Sequence, residues 1–170
     1  MMQDKIRGLA WRFGDNIDTD QIIPARYCNT HDPGKLADHA MEGADPGFSS
    51  RVAYGDIIVA GRNFGCGSSR EVAPIAIKAA GISGVIADSF ARLFYRNAVN
   101  IGLFIMVCPA ASESIQTGEE LVIDPSMGIV HSLTTGRAYR CEGFPPFIKE
   151  IVEAGGMVNY VKRQFEKERE

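Results

Sequence analysis

The chain has 170 residues, of which 45% are hydrophobic and 23% are charged, and its formal net charge is −3. This length and composition predict one globular domain, residues 1–170, and the weak negative charge argues against nucleic-acid or membrane-surface binding. No apolar run approaches the ~20 residues that a membrane span needs. The polar N-terminus lacks the apolar core of a secretory signal, so we expect a cytoplasmic protein.

The spacing of cysteines and histidines indicates no metal site in this chain. The cysteines stand at positions 28, 66, 108 and 141, and no two of them form a C-x-x-C pair. The three histidines are scattered along the chain. For a cytoplasmic protein we also expect no disulfide.

In chain order, the first predicted elements are a strand at residues 6–13 and a polar, turn-rich loop at residues 14–20. Asp15, Asp18 and Asp20 in that loop could bind a cation, although the glycine and the distal glutamate of an EF-hand are missing. The alternative is a loop that its own side chains stabilise through hydrogen bonds to nearby backbone.

An extended segment at residues 22–24, a short helix at residues 32–43 and a loop at residues 44–54 come next. Gly43 is predicted to end the helix, since glycine commonly follows a helix C-terminus. The predicted loop contains a proline, a glycine and two serines, which are typical of turns.

Strands and helices then alternate. The predicted strands are residues 56–60, 84–88 and 103–107, and the predicted helices are residues 71–80 and 90–100. This order predicts βαβ units with parallel strands and right-handed crossovers. Ser89 is the predicted cap of the second helix. One face of that helix favours packing in the core over ligand stacking, and it consists of Phe90, Leu93, Phe94, Asn97 and Ile101.

After Pro109 the pattern changes. Residues 120–124 and 128–132 predict a hairpin, residues 137–141 predict a further strand, and residues 145–154 and 157–168 predict two helices. The complete pattern predicts an α/β fold with a mixed sheet.

The stretch GRNFGCGSSRE, residues 61–71, predicts a binding site for a small anion. It joins a strand to the start of a helix, where main-chain N–H groups can converge on an anion. Gly65 and Gly67 can adopt positive φ angles and admit a ligand close to the backbone. Two serines follow, and Arg70 adds a planar fork that matches a carboxylate or a phosphate.

A purely structural interpretation competes with this one. Ser68 and Glu71 have the spacing of a capping box, so Ser68 could simply cap the following helix. Pro74 bears on the choice, because a proline deep inside a helix costs about 3 kcal/mol. If the helix begins near Glu71, Pro74 lies in its first turn and Ser68 is free to face a ligand.

Four motifs stand in a fixed order along the chain. They are DTDQIIP at residues 18–24, NFGCGSSRE at residues 63–71, ADSFAR at residues 87–92 and RNA at residues 96–98. With them, over roughly residues 6–160, the chain resembles the swivel domain of the aconitase superfamily. Within it, the chain resembles the family of free-standing 3-isopropylmalate dehydratase small subunits. The resemblance implies a single swivel-type β/β/α domain with a mixed sheet and βαβ crossovers.

The resemblance also implies an activity. Members of the family are one half of a two-subunit hydro-lyase, inactive alone, which isomerises 2-isopropylmalate and 3-isopropylmalate by removing and re-adding water in leucine biosynthesis. In the family, the large partner subunit holds an iron–sulfur cluster (4Fe-4S) through three cysteines, and its unligated iron binds the substrate. The resemblance therefore implies no cofactor in this chain. It implies a role in closing the site over a small dicarboxylate or tricarboxylate.

Roles follow from position in the motifs. Ser68 matches the family's general base, which as an alkoxide removes the proton next to a carboxylate. The substrate-binding residues that the resemblance implies are Gly67, Ser69, Arg70, Tyr27, Cys28, Asn29 and Thr30. The implied wall of the site is Asp18, Thr19 and Asp20. A serine alkoxide needs oriented N–H groups and a guanidinium in a closed site with little water.

The identity of residue 29 bears on the substrate. Family members that act on homoaconitate-type substrates carry an arginine at the place of Asn29 for the extra carboxylate, and its absence argues against such a substrate. Asn29 is nevertheless more polar than the residues expected around an isopropyl group. Arg26 could reach into the site or remain a solvated surface residue. Smaller methyl-substituted malates therefore stay open.

Other functions also stay open at this point. One is the small subunit of a related aconitase-type hydro-lyase, such as homoaconitase or a methyl-substituted malate dehydratase. Another, from a different class, is a non-catalytic module whose residue 65–70 turn binds a phosphate. Cys66 as an acyl-transfer nucleophile is disfavoured, because no histidine lies nearby in the sequence to activate it.

Overall fold

Seven strands form one sheet in residues 5–169 of the computed structural model, the part of the chain that the structure describes. Residues 1–4 of the polar N-terminus and residue 170 lie outside that part. The strands are β1 Ile6–Arg12, β2 Ile57–Ala60, β3 Gly84–Ala87, β4 Ile105–Val107, β5 Glu120–Asp124, β6 Ile129–Ser132 and β7 Ala138–Arg140. Their order across the sheet is β4-β3-β2-β1-β5-β6-β7.

The sheet has a parallel half and an antiparallel half. Strands β1 to β4 pair in parallel, and β5, β6 and β7 continue from β1 as an antiparallel meander. The parallel half is built from strand–helix–strand units, in which β2, β3 and β4 are joined through one helix each. The predicted mixed sheet with βαβ crossovers is therefore confirmed.

Eight α-helices and one short 3-10 turn are present in the described residues. The helices are α1 Thr19–Ile22, α2 Pro33–Ala37, α3 Phe48–Arg51, α4 Val72–Ala79, α5 Arg92–Asn100, α6 Pro109–Ser114, α7 Pro146–Glu153 and α8 Met157–Lys167, and the 3-10 turn is Ala25–Tyr27. None of the helices in residues 5–169 is long and apolar enough to cross a membrane.

Three of these helices differ from the sequence prediction near the first loop. Helix α1 lies where an extended segment was expected, because Asp18 and Gln21 form a capping box that starts a helix there. Helix α2 ends at Ala37 rather than at Gly43, and a series of turns follows it. Helix α3 lies inside the predicted loop at residues 44–54.

Two further differences lie beside β3 and β4. Helix α5 begins at Arg92, and Ser89 does not cap it, because the Ser89 hydroxyl accepts a hydrogen bond from the Asn63 N–H at 2.9 Å. Helix α6 follows β4 directly, where the sequence pattern predicted no helix. Its first residue is Pro109, a proline at the position where a helix tolerates it best.

Both faces of the parallel half are buried. In β2 all four residues are buried, and Ile58 packs into one apolar cluster while Ile57 and Val59 pack into another. The first cluster lies against α4 and α5. The second also contains side chains of the meander, among them Leu121 and Val130, so the sheet curls until its two halves face each other. Each buried aliphatic side chain contributes roughly 1.5–3 kcal/mol.

The curl brings the two edge strands together at one end. The Glu142 N–H, just after β7, donates to the Val107 carbonyl at the end of β4 at 3.0 Å. Next to this bond, Cys108 and Cys141 form a disulfide with their Cα atoms 4.5 Å apart. The expectation of no disulfide was wrong, because a separation of 33 residues in sequence conceals a proximity that only the closing of the sheet creates.

Candidate active site

The glycine-rich turn lies between β2 and α4, at the carboxyl end of the parallel strands. Gly65 has φ +81° and Gly67 has φ +90°, so the predicted positive φ angles are confirmed. A Cβ on Gly65 would lie within van der Waals overlap of the Phe94 ring, which packs directly against the turn. The Gly65 N–H donates to the Ile17 carbonyl at 2.7 Å, which ties the turn to the loop after β1.

Ser68 does not cap the helix that follows it. The N-cap of α4 is Glu71, and no side chain bonds to the first turn of this helix. Pro74 accordingly lies in the first turn, as the sequence allowed. The capping interpretation of Ser68 is therefore not supported, and its side chain is exposed.

A cavity of about 170 Å³ lies beside this turn. Ser68, Ser69 and Arg70 line it on one side, and residues from the start of α5 line it on the other. Within residues 5–169, the main-chain N–H groups of Gly67, Ser68 and Ser69 donate no hydrogen bond. Three consecutive unpaired donors beside two hydroxyls and a guanidinium are suited to an anion, or to an oxyanion that develops during a reaction.

Thr19 braces the turn from behind. This residue is 3% exposed, and its hydroxyl donates to the Ser68 carbonyl at 2.9 Å. Its N–H donates to the Cys66 carbonyl at 2.8 Å, beside a parallel bridge between Asp18 and Cys66. The predicted wall of the site thus holds the backbone of the serine turn by hydrogen bonds on both sides of Gly67.

Arg70 is held at one of its terminal nitrogens. Its Nη1 donates to the Asp20 carboxylate at 3.0 Å and to the Ile23 carbonyl at 3.0 Å. The hydrogen bond from Arg70 lowers the pKa of Asp20, and a second bond from the Ala25 N–H acts in the same direction. The Arg70 side chain is only 20% exposed, so the guanidinium is largely shielded from solvent where it borders the cavity.

The predicted substrate-selecting loop lies beyond Arg70, and none of Tyr27, Cys28, Asn29 and Thr30 lines the 170 Å³ cavity. The Tyr27 ring stacks on His39 with ring centroids 3.5 Å apart. Asn29 is exposed.

The other members of the loop bond locally. The Cys28 Sγ contacts the Ile23 carbonyl at 3.7 Å, and the Thr30 hydroxyl accepts a bond from the Asp32 N–H at 3.1 Å. The link between this loop and the serine turn runs through residues 20–25 and Arg70.

Arg26 does not point to the serine turn. Its guanidinium pairs with the Glu42 carboxylate at 2.8 Å and lies over the Tyr27 ring, 4.7 Å from the centroid. Glu42 also accepts from the Tyr27 hydroxyl and lies 2.6 Å from His39 Nδ1. The surface interpretation of Arg26 is the one that the geometry supports.

The acidic residues of the first loop form no shared cation site. Asp15 pairs with Arg62, Asp18 caps α1, and Asp20 pairs with Arg70. No group of three or more histidines, cysteines, aspartates and glutamates within residues 5–169 could hold a metal ion.

Helix α5 contributes residues that sequence reasoning missed. Arg92, Leu93 and Asn97 line the cavity opposite the serines. The helical spacing of Leu93 and Asn97 favoured a place in the core, but Leu93 is 48% exposed. The signal that could have found Arg92 and Asn97 is the motif evidence, since Arg92 ends the motif at residues 87–92 and Asn97 lies in the motif at residues 96–98. Leu93 lies in neither motif.

A larger cavity lies at the opposite end of the parallel strands. It measures about 630 Å³ and is bordered by Lys5, Arg7 and Lys78. None of the four motifs reaches it. In open α/β sheets, ligands bind outside the carboxyl ends of the strands, and the serine turn lies at that end. We therefore take the smaller cavity as the candidate active site.

Comparison with known proteins points to one group. Residues 29–111 match the model of the aconitase C-terminal domain. The 3-isopropylmalate dehydratase small subunit of Moorella thermoacetica is 58% identical over 94% of this chain and 96% of its own length. Small subunit 1 of the same enzyme from Methanopyrus kandleri is 55% identical over 96% of each chain.

Two further matches bear on substrate and fold. The 2,3-dimethylmalate dehydratase small subunit of Eubacterium barkeri is 55% identical over 92% of this chain and 96% of its own length. The crystal structure of 3-isopropylmalate dehydratase from Methanocaldococcus jannaschii superposes with a TM-score of 0.94, at 46% identity, over 97% of this chain and 98% of that one. The curled sheet of seven strands is therefore also that of a solved relative.

Proposed function

Because this chain belongs to the family of 3-isopropylmalate dehydratase small subunits, we propose that it is one half of a two-subunit hydro-lyase. The assembly interconverts 2-isopropylmalate and 3-isopropylmalate by removal and re-addition of water, a step of leucine biosynthesis. The family resemblance expected from the four motifs is confirmed. The observation that carries the proposed chemistry is the cluster of Ser68, Ser69, Arg70 and three unpaired main-chain N–H groups beside one cavity.

Each group in that cluster has a defined task in the proposed reaction. The Ser68 oxygen, as an alkoxide, takes the proton from the carbon next to a substrate carboxylate and later returns it. Arg70 and the Ser69 hydroxyl hold that carboxylate, so that its α-proton points at Ser68. The unpaired N–H groups of residues 67–69 and the guanidinium stabilise the alkoxide, and the effect is largest when water is excluded.

The partner that we propose is the large subunit of the same enzyme, which closes the cavity from outside. Within residues 5–169, the cysteines, histidines and carboxylates form no group that could hold an iron–sulfur cluster. We propose that a 4Fe-4S cluster belongs to the large subunit, where it would polarise the hydroxyl that leaves as water. We also propose that the assembly works in the cytoplasm, where the Cys108–Cys141 disulfide must resist the reducing thiol pool.

The substrate arm that we propose is a branched alkyl group. Arg26 is engaged by Glu42, and no arginine stands at position 29, so the loop at residues 26–30 offers no cation to a second charged arm. Across the cavity, Arg92 on α5 is the cation that such an arm could meet. Leu93 offers an apolar wall across the cavity from the serines. A smaller methyl-substituted malate is the second candidate, because the dimethylmalate relative is 55% identical to this chain, the same identity as the Methanopyrus kandleri isopropylmalate relative.

The decisive experiment mixes this chain with its cognate large subunit under anaerobic conditions. We expect the mixture, but neither chain alone, to interconvert 2- and 3-isopropylmalate, with kcat/KM above that for 2,3-dimethylmalate. The reverse ranking favours the second candidate. Binding of inorganic phosphate without turnover of any malate would favour a non-catalytic anion-binding module instead.

The role of Ser68 is tested in the same mixture. Ser68→Ala should lower kcat by roughly 10³-fold, the order that a general base contributes, while association with the large subunit is retained. Ser50→Ala, which removes an exposed hydroxyl from α3, is the matched control and should keep full activity. Activity of Ser68→Ala within a few-fold of wild type would remove Ser68 from the mechanism.

A further inference from the structure

Arg70 uses only part of its donor capacity inside the chain. Nη1 makes both of its hydrogen bonds, one to Asp20 and one to the Ile23 carbonyl. Nε and Nη2 donate to no group within residues 5–169. A guanidinium binds a carboxylate bidentately through two neighbouring N–H groups, and the Nε–Nη2 edge is such a pair. The contacts of Nη1 therefore decide which edge of Arg70 remains for a ligand.

Asp20 is itself fastened on both sides. Its Oδ1 accepts from the Ala25 N–H at 3.0 Å, at the start of the 3-10 turn that leads into residues 27–30. Its helix, α1, is secured by the Asp18 capping box and by two carbonyls that accept main-chain bonds from the turns after α2. Those bonds run from the Met41 N–H to the Ile22 carbonyl at 2.7 Å and from the Gly43 N–H to the Gln21 carbonyl at 3.1 Å.

From this arrangement we propose that Asp20 is a positioning residue for substrate binding. Its carboxylate, together with the Ile23 carbonyl, fixes the rotation of the Arg70 guanidinium so that the Nε–Nη2 edge faces the cavity. The same Asp20 oxygen accepts hydrogen bonds from Arg70 and from Ala25, the first residue of the 3-10 turn. This shared acceptor fixes the position of the carboxylate-binding arginine relative to the loop at residues 27–30. Exposed ion pairs contribute little to the stability of the fold. The Asp20–Arg70 pair therefore acts mainly by orienting the guanidinium for substrate binding.

The inference rests on the proposed function, since it assumes that Arg70 binds a substrate carboxylate. Its test is a double-mutant cycle in the mixture with the large subunit, with Asp20→Ala, Arg70→Lys and the double variant. We expect Asp20→Ala to raise KM for isopropylmalate about 10-fold, while kcat changes much less. A rise of this size corresponds to the loss of one hydrogen bond to a charged group, because the variant no longer orients the Arg70 guanidinium. In the Arg70→Lys background the same change should raise KM less than about 2-fold, because the two residues act as a unit.

Two further variants complete the experiment. Asp20→Asn keeps an acceptor oxygen for Nη1 and for Ala25, so it should recover most of the affinity that Asp20→Ala loses. Asp45→Ala is the matched control, because it breaks an arginine–carboxylate pair of 2.6 Å with Arg51, outside the site, and should leave KM unchanged.

The Asp20 variants test the positioning role, and Arg70→Lys tests the proposed function on which that role depends. An unchanged KM in Asp20→Ala and Asp20→Asn, or an equal rise of KM with and without Arg70, overturns the positioning role while leaving the function intact. An unchanged KM in Arg70→Lys would instead contradict the carboxylate-binding role on which the inference rests.

Discussion

At the scale of single residues, the candidate site is made of polar groups that the rest of the chain leaves unpaired. Ser68 is exposed and does not cap α4, and the N–H groups of residues 67–69 donate no bond within the described part of the chain. Native proteins satisfy most of their polar groups internally or with water. The three exposed donors beside the cavity are therefore available to water or to a ligand.

Replacement of Arg70 tests the nature of that ligand. Arg70→Lys keeps the charge but loses the planar fork, so KM for isopropylmalate should rise roughly 10- to 100-fold. Steady-state kinetics of the mixed assembly measures it. Arg51→Lys alters an exposed arginine–carboxylate pair away from the site and should leave KM as it is. A normal KM in Arg70→Lys would mean that the carboxylate binds elsewhere.

The pKa of Asp20 offers a test that needs no partner subunit. The hydrogen bond from Arg70 holds this pKa below its ordinary value of 3.8 in the folded chain. A depressed carboxyl pKa stabilises the folded state above the unfolded value, and the contribution is lost as the pH falls through the folded value. Carbon-13 NMR should therefore show Asp20 titrating below 3.8, and titrating closer to that value in Arg70→Ala. An identical titration in both proteins would contradict the contact.

At the scale of elements, the sequence predicted best where a pattern is local and strong. The buried strands β2 and β3 and the helix between them were recognised from short apolar runs around a glycine-rich turn. The four-residue helix α1 was missed because its signal, Asp18 with Gln21, is a cap without an apolar stripe. The sequence predicts the start of α5 two residues too early, because Ser89 is a residue type that commonly caps a helix. In the structure the Ser89 hydroxyl instead accepts a hydrogen bond from the Asn63 N–H.

The site shows the same division. Ser68, Ser69 and Arg70 could be predicted, because glycines, hydroxyls and a guanidinium in one stretch have few structural uses together. Leu93 could not, since its spacing in α5 is that of a core residue and its exposure depends on where the serine turn crosses the helix. Contacts between elements that are distant in sequence, such as the hydrogen bond between Asp20 and Arg70, do not change the hydrophobic periodicity of either segment. The sequence pattern therefore cannot predict them.

The contact between the serine turn and α5 predicts a sensitive position at Gly65. Gly65→Ala combines a φ of +81° with a Cβ inside the Phe94 ring, so the free energy of unfolding should fall by about 3 kcal/mol. Chemical denaturation measures the change. Gly14→Ala is the control, because a Cβ there meets nothing within 4 Å, and it should be nearly neutral. Equal free energies of unfolding for the two variants would contradict this prediction, because they would show that the turn and the Phe94 ring shift to admit the added Cβ at little cost.

At the scale of the whole molecule, the fold depends on a sheet that curls until β4 and β7 meet. The hydrogen bond from Glu142 to Val107 and the disulfide between Cys108 and Cys141 lie at the same corner. Neither cysteine belongs to the candidate site, which lies on the serine turn and α5. The disulfide therefore bears on stability rather than on chemistry.

The disulfide should be measurable in the isolated chain. It closes a loop of 33 residues, and chain-entropy arguments give about 4 kcal/mol for a loop of that length. Urea unfolding with and without a reductant should reveal the difference, and Cys108→Ala together with Cys141→Ala should behave like the reduced protein in both conditions. Four free thiols in the native protein, counted without reductant, would contradict the bond.

The meeting of the edge strands also bears on how the chain behaves before it finds a partner. Both edge strands are only three residues long, and one corner of the gap between them is already bonded. Rows of unpaired main-chain groups on long, flat edges are what recruit strands from neighbouring molecules into fibrous aggregates. The two three-residue edges of this chain therefore offer little main chain for such recruitment.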